Sequence, residues 1–451
     1  MARLARLLES LENRGGQRCL YCDVRWYTYS QLVARIAFWR QHLSTLALET
    51  GSVIGLEADY SLDSIALLLA AWAEHLIVSL VPRAEDPEVC LRDSCAVGSF
   101  EARASGSPVW TTRGAQTPHP LLDRLKSTGD PGIVIFTSGS TGRAKAALHS
   151  VDRFLRKFDR PGRALRTLAF LHFDHVAGVD TLLYTLAAGG ALVVAPDRAP
   201  GAICALIEAA EVQVLSASPS FLRLLWASGA ADGRNLSSLA VITYGSEPMD
   251  AGTLRRINEL FPAARVSQKY GTTETGAPRT ISRSNDSLWV QISDEGVETQ
   301  IRDGILWIRS EGTFLGYLNA PSPLDDDGWY CTGDLVEQDG QWLRILGREG
   351  DTINVGGEKV SPVEVEQVIL DLDEISGAAV SGRAHPLMGQ IVIARVSLRP
   401  GVDEAKVEAL VRRHCRSRLP RHKVPVIVDV ATGPLSSDRQ KILRRDDRVE
   451  R

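Results

Sequence analysis

At 451 residues and 44% hydrophobic content, the chain can fill more than one core, and two or three domains are expected. A formal net charge of −4 speaks against general nucleic-acid binding. No apolar run reaches the roughly 20 residues that cross a bilayer; the longest, 65–73, is too short, so no membrane span is expected.

The opening MARLARLLESLENRGG reads as a short amphipathic helix without the apolar core or cleavage site of a secretion signal, which points to a cytoplasmic protein. Cys19 and Cys22 form a CxxC that Cys90 and Cys95 could complete as a zinc site. The seven cysteines keep no framework spacing and no His cluster supports a metal, so ordinary reduced thiols are the simpler reading. Short β-like runs then alternate with helical ones. A strand at 53–56 is followed by a helix over 62–73 and a strand at 77–81. Further strands are predicted at 168–171, 191–195, 212–216 and 239–243, with helices between them at 202–210 and 221–227. This alternation indicates layered α/β subdomains with mostly parallel sheets. The stretch 98–127, rich in Gly, Ser, Pro and Thr, reads as loop or poorly ordered connection.

Directly after the apolar run Ile133-Val134-Ile135 comes Phe136-Thr137-Ser138-Gly139-Ser140-Thr141-Gly142-Arg143-Ala144-Lys145-Ala146. Glycines let successive N–H groups converge on one anion, and hydroxyls with an ammonium add matching donors, so phosphate is the natural guest. The spacing SGSTGxxK departs from the GxxxxGK[ST] of the common nucleotide loop. A Gly/Ser-rich surface turn is the plain alternative, and the downstream sequence has to decide.

Four further segments carry chemistry. Tyr270-Gly271-Thr272-Thr273-Glu274 is a turn ending in a carboxylate, able either to hold Mg²⁺ beside phosphate oxygens or to cap a helix. Trp329-Tyr330-Cys331-Thr332-Gly333-Asp334 sets an acid after a tight turn, suited to gripping ribose hydroxyls. Gly347-Arg348 through Gly356-Gly357-Glu358-Lys359 is glycine-bearing and charged. Leu435-Ser436-Ser437-Asp438-Arg439-Gln440-Lys441-Ile442 carries an isolated lysine. After 347 the texture changes to short strands and two helices (364–370, 378–381, 391–398, 402–419, 426–430), which reads as a small α+β domain. The expected division is 1–348, a hinge at 349–351, and a mobile domain at 352–451. Residues 401–451 hold 13 Lys/Arg against 8 Asp/Glu, either a solvated helix face or a docking surface for CoA phosphates or an acidic carrier protein.

Taken in order, these segments resemble the adenylate-forming superfamily of acyl- and aryl-CoA ligases, peptide-synthetase adenylation domains and luciferase. Thr28-Tyr29-Ser30-Gln31-Leu32 and Gly51-Ser52-Val53-Ile54 are similar to its early landmarks, and Gly245-Ser246-Glu247-Pro248-Met249 to its adenine-side loop. The resemblance implies attack of a carboxylate on the α-phosphate of ATP, with Mg²⁺, followed by transfer of the acyl group to a thiol. It implies that 137–145 cradles the β- and γ-phosphates, that Glu274 holds Mg²⁺, and that Thr273 meets the α-phosphate. Asp334 and Arg348 are implied at the ribose, and Tyr270, Thr272 and Glu247 in the ATP site. Gly245, Ser246 and Gly271 are implied along the adenine and acyl pockets. Lys441 is implied to bridge the carboxylate and α-phosphate during adenylation. His175, in His175-Val176-Ala177-Gly178, matches the family's HxxG segment beside the acyl carboxylate.

Three departures stand out. Ala144 and Ala146 replace the usual Pro and Gly of the phosphate loop, Gly350 occupies a hinge position usually acidic or Lys, and the region before the phosphate loop is short. The run Val355-Gly356-Gly357-Glu358-Lys359-Val360-Ser361-Pro362 resembles the CoA-ligase branch, its paired glycines implying a path for a pantetheine arm after domain rotation. CoA is the expected acceptor, with a carrier protein as the alternative and an amine as a third. A non-catalytic relative is disfavoured by Lys441, Glu274 and Asp334, and an oxidoreductase by the missing GxGxxG. Phe221, Trp226 and the alanines after His175 are the candidates for shaping the acyl pocket.

Overall fold

The computed structural model describes residues 2–101, 108–137, 143–399, 401–433 and 435. Two seven-stranded sheets form the frame of the large N-terminal part. In the first, Val53–Glu57, Ile77–Leu80, Gly98–Glu101 and Gly132–Thr137 run parallel, and antiparallel strands close both edges. In the second, Arg166–Ala169, Ala191–Val194, Val214–Ala217, Val241–Tyr244 and Arg265–Gln268 run parallel. The hairpin Arg18–Cys22/Arg25–Thr28 completes its far edge.

Parallel strands covered on both faces must be apolar throughout, and these are. Ile77–Leu80 is buried at every position. The helix Leu62–Ala73 starts where Ser61 accepts the Ser64 N–H, and runs almost wholly apolar between the two sheets' shared core. Trp72 satisfies its indole N–H on the Gly132 carbonyl, at 3.0 Å. The amphipathic N-terminal helix is Ala2–Glu12, burying Leu4, Leu7 and Leu11 in that same core. Cys19 and Cys22 lie there too and Cys90 lies in a different cluster, each thiol pushed up to about 12 by burial. No group of metal-ligating side chains occurs among the described residues, and no described helix is long and apolar enough to cross a membrane.

Two regions differ from expectation. The described residues of the stretch 98–127 contribute the strands Gly98–Glu101 and Val109–Thr112 and most of the helix Pro120–Thr128. Its glycine and proline have structural work there. A Cβ on Gly98 would overlap the Trp110 ring, at 2.3 Å, and Pro120 opens a helix that Gly129 ends in the left-handed conformation. The second difference is a six-stranded antiparallel sheet spanning 280–348, which breaks the mostly parallel pattern.

The small C-terminal part is α+β. A long hairpin, Ile375–His385 with Gly389–Leu398, pairs with Ile427–Val430 and with the short hairpin Ile353–Val355/Glu358–Val360. The helices Pro362–Leu370 and Val407–Arg416 pack on this sheet around their own core. The predicted helix over 402–419 is shorter than expected and is preceded by a 3₁₀ turn at Glu404–Lys406.

Candidate active site

Parallel sheets present their carboxyl-end loops to ligands, and two adjoining cavities open at those ends here. The larger, about 290 Å³, is walled by Phe136 and Thr137, by Ser246, Glu247 and Pro248, by residues 268–274, and by Tyr330, Asp334 and Arg348. The smaller, about 70 Å³, shares His175, Val176, Ser246, Lys269, Tyr270 and Gly271 with it. It extends to Gly245, Asp180, Thr181, Ser216 and Thr243. A wider open groove of about 890 Å³ elsewhere holds none of these residues. Its charges largely pair off, as in Arg160–Glu295 at 3.1 Å and Arg309–Glu298 at 2.8 Å.

Asp334 is the most constrained group of the site. The Tyr270 hydroxyl donates to Oδ2 at 2.6 Å, and Arg348 Nε stands 3.2 Å from Oδ1. Its own N–H is tied to Thr332 Oγ1 at 3.0 Å, so the carboxylate is aimed from a fixed turn. Burial raises the Asp334 pKa, opposed by the Arg348 charge and the Tyr270 hydrogen bond. Tyr270 is held protonated in turn, by burial and by the adjacent carboxylate.

Glu274 is buried at the opposite wall. Tyr317 donates to its Oε1 at 2.5 Å, and its charge with burial keeps both Tyr317 and Tyr330 protonated. The turn leading to it is held by reciprocal hydroxyl contacts between Thr272 and Thr275. Gly271 is required, since a Cβ there would sit 2.4 Å from the Gly276 carbonyl oxygen. Beneath lies His149, fully buried, its pKa pushed down to about 4 by desolvation.

The phosphate-loop candidate joins two antiparallel neighbours, Gly132–Thr137 and Lys145–Ser150, with Thr137 opposite Lys145. Ser138, Gly139, Ser140, Thr141 and Gly142 lie outside the described residues. The loop's base is fixed by Asn319, which accepts from Ala146 N–H and donates to the Ala144 carbonyl, both at 2.9 Å. Arg143 binds Asp93 at 2.6 Å. The Lys145 ammonium stands over the Tyr317 ring, 5.2 Å from its centroid, next to Glu274's partner. His175 caps the helix Val176–Ala188: its Nδ1 accepts the Ala177 N–H at 3.3 Å, leaving Nε2 as the protonated nitrogen of the neutral ring. Glu247 lines the larger cavity while accepting from Ser220 Oγ at 2.7 Å.

The fold therefore gathers Thr137, His175, Ser246, Glu247, Tyr270, Gly271, Thr272, Thr273, Glu274, Asp334 and Arg348 around one cavity. Gly245 adjoins it through the smaller one. Gly356 and Gly357 are not among the lining residues of either cavity. They form the two-residue turn of a hairpin, at φ +61° and +93°. Lys441 lies outside the described residues. Phe221 and Trp226 do not shape the smaller cavity. Phe221 is core, with its ring 4.2 Å from Phe170, and Trp226 is sandwiched between the guanidiniums of Arg256 and Arg399. Sequence reasoning missed Lys269, Tyr317 and Asp351. Lys269 adjoins Tyr270 in sequence, which is the one signal that could have found it.

Comparison with known proteins identifies the family and the fold. The family model for AMP-binding enzymes matches residues 7–318, and the model for the AMP-binding enzyme C-terminal domain matches 364–436. A 4-coumarate–CoA ligase-like protein of Oryza sativa is 27% identical over 93% of this chain and 81% of its own. An L-proline–[L-prolyl-carrier protein] ligase of Pseudomonas fluorescens is 26% identical over 93% of each chain. The chain spans less of other relatives: 60% of a CoA ligase and 24% of a phenyloxazoline synthase, both from Mycobacterium tuberculosis. The fold matches that of an anthranilate CoA ligase in complex with anthranoyl-AMP, with a TM-score of 0.83 at 20% identity, over 97% of this chain and 95% of that one.

Proposed function

The chain belongs to the AMP-binding enzyme family and is an adenylate-forming ligase; from that premise we propose that it joins a carboxylic acid to the pantetheine thiol of CoA at the expense of ATP. One observation carries the reading: Asp334, clamped by Tyr270 and Arg348, faces the same cavity as Glu274 and the end of the phosphate-loop strand. A fixed carboxylate can accept from both ribose hydroxyls. Nucleoside recognition and phosphate chemistry thus fall within one cleft.

In this reading the acid's carboxylate lies beside His175, whose imidazole can orient it, and Thr273 meets the α-phosphate. It attacks the α-phosphorus; the bond from the α-phosphorus to the bridging oxygen breaks, and pyrophosphate leaves toward 137–145. Such chemistry needs positioning and charge compensation more than covalent help. Glu274 is an oxygen donor open to the phosphate end, which fits a hard cation held by one carboxylate plus substrate phosphates. Bound there, Mg²⁺ would neutralise phosphate charge. Lys441 would supply charge at the reacting carboxylate and α-phosphate.

The second half-reaction needs the pantetheine arm at the acyl-adenylate. Gly356 and Gly357 stand away from the cavities, so we assign this arrangement to adenylation. Rotation of 352–451 about 349–351 would then bring the glycine turn in. A carrier protein, whose pantetheine arm has the same chemistry, is the second reading, favoured by full-length similarity to a carrier-protein ligase. The test supplies ATP, Mg²⁺, an accepted acid, and either CoA or a holo carrier protein, and follows AMP and thioester by mass spectrometry. A CoA thioester is the expected product. Thioester on the carrier alone would support the second reading, and AMP formation with neither acceptor charged would contradict both.

A further inference from the structure

The smaller cavity holds a cation that the protein leaves unsatisfied. Lys269 follows the strand Arg265–Gln268, with its N–H bound to the Tyr244 carbonyl at 2.7 Å. Its side chain lines both cavities and is exposed within the cleft. Among the described residues its ammonium has no hydrogen bond and no ion pair. It stands 5.7 Å from the centroid of the Tyr184 ring.

The charges around it do not supply a counterion. Asp180, on the helix that walls the smaller cavity, is ion-paired with Lys157. Lys157 also donates to the Ala277 carbonyl, at 2.5 Å. Asp294 accepts from the Arg279 N–H at 3.3 Å, and the Arg279 side chain adds positive charge. Lys157, Lys269 and Arg279 thus outnumber Asp180 and Asp294. Surrounding protein, with Arg279, holds the Lys269 ammonium below the ordinary lysine range, and an anion beside it would relieve that cost.

We propose that Lys269 is a specificity-determining residue for acids that carry a second anionic group, which it receives while the first carboxylate lies at the reacting end beside His175. This rests on the adenylation reading above. The small cavity favours a short or compact spacer between the two groups. An amine-bearing acid is disfavoured, because Lys157 already takes the carboxylate of Asp180.

The test pairs each of succinate, glutarate, adipate and o-phthalate with its monomethyl ester. Acid-dependent exchange of pyrophosphate into ATP is measured with the full chain, with Lys269→Met and with Lys269→Arg. One charge-assisted contact predicts a preference of about tenfold or more for at least one diacid over its ester in kcat/KM. Lys269→Met should bring that ratio to within about twofold, and Lys269→Arg should retain most of it. Equal use of diacids and esters, or an equal loss of both in Lys269→Met, would overturn the inference. Calorimetric binding of the same pairs reads the preference without turnover. Diacid-selective binding that depends on Lys269, without exchange, would uphold this inference and defeat adenylation. No selectivity in binding or exchange would defeat the inference alone.

Discussion

Glu274 can be tested at the level of a single charge. Glu274→Gln keeps the side chain's size and an oxygen acceptor for Tyr317, so the fold should survive while the charge is lost. Exchange of pyrophosphate into ATP should fall by roughly 10²-fold or more, the scale of losing one group that stabilises developing charge, with the thermal midpoint nearly unchanged. Full exchange in the variant would remove Glu274 from the metal role proposed for it. His149 beneath it tests burial. Its folded pKa is lowered from 6.5 to about 4, so the unfolded chain binds the extra proton first as pH falls. Stability should therefore be fully present above pH 6.5 and decline between 6.5 and about 4, by on the order of 3 kcal/mol at the acid end. His149→Gln should flatten that part of the stability–pH curve in denaturant titrations. An unchanged slope would show that His149 is not the group responsible.

The hairpin Ile353–Val355/Glu358–Val360 makes a structural demand on its turn that can be separated from the chemistry proposed for it. Both turn residues, Gly356 and Gly357, have positive φ, as a two-residue hairpin turn of the primed type demands. Asn354 fastens the turn by accepting the Gly357 N–H at 3.0 Å. Gly357→Asn should fold normally, whereas Gly357→Val should cost about 1–2 kcal/mol in denaturant unfolding. If the turn also passes the pantetheine arm, Gly357→Asn should slow thioester formation while leaving pyrophosphate exchange intact; equal effects on both would limit the glycines to the turn. Elements with strong periodicity were legible in the sequence, and the helix Leu62–Ala73 falls at the predicted bounds. The strands of 98–127 were not, because Gly98 is selected by the Trp110 ring across the sheet, a contact that no local pattern reveals. The antiparallel sheet over 280–348 was also missed. Its strands expose polar residues on one face and lack the continuous apolar runs that mark the parallel sheets.

Across the whole molecule, the question is what holds the C-terminal part against the rest. Arg256 reaches Asp373 at 2.6 Å, and Trp226 lies between Arg256 and Arg399, at 4.2 and 4.4 Å. If the C-terminal part rotates as proposed, such contacts would bias its position without touching substrate. Because this arrangement is assigned to adenylation, Trp226→Ala should lower exchange relative to thioester formation from supplied acyl-adenylate, by about two- to tenfold. A uniform loss in both would mark Trp226 as merely structural. The candidate site residues were legible as separate motifs, and Thr137, Glu274 and Asp334 among them, far apart in sequence, converge on one cavity. The smaller cavity, proposed above to take the acid's far end, was not legible. Its walls come from the strand ends at Ser216 and Thr243, the helix face at Asp180 and Lys269, none of which forms a motif. The most direct measurement is carboxylate-dependent exchange of labelled pyrophosphate into ATP, run over a broad panel of acids with the unmodified chain and Lys441→Ala. Exchange that requires both an acid and Lys441 is the predicted result; no exchange with any acid, or exchange unchanged in Lys441→Ala, would contradict the account.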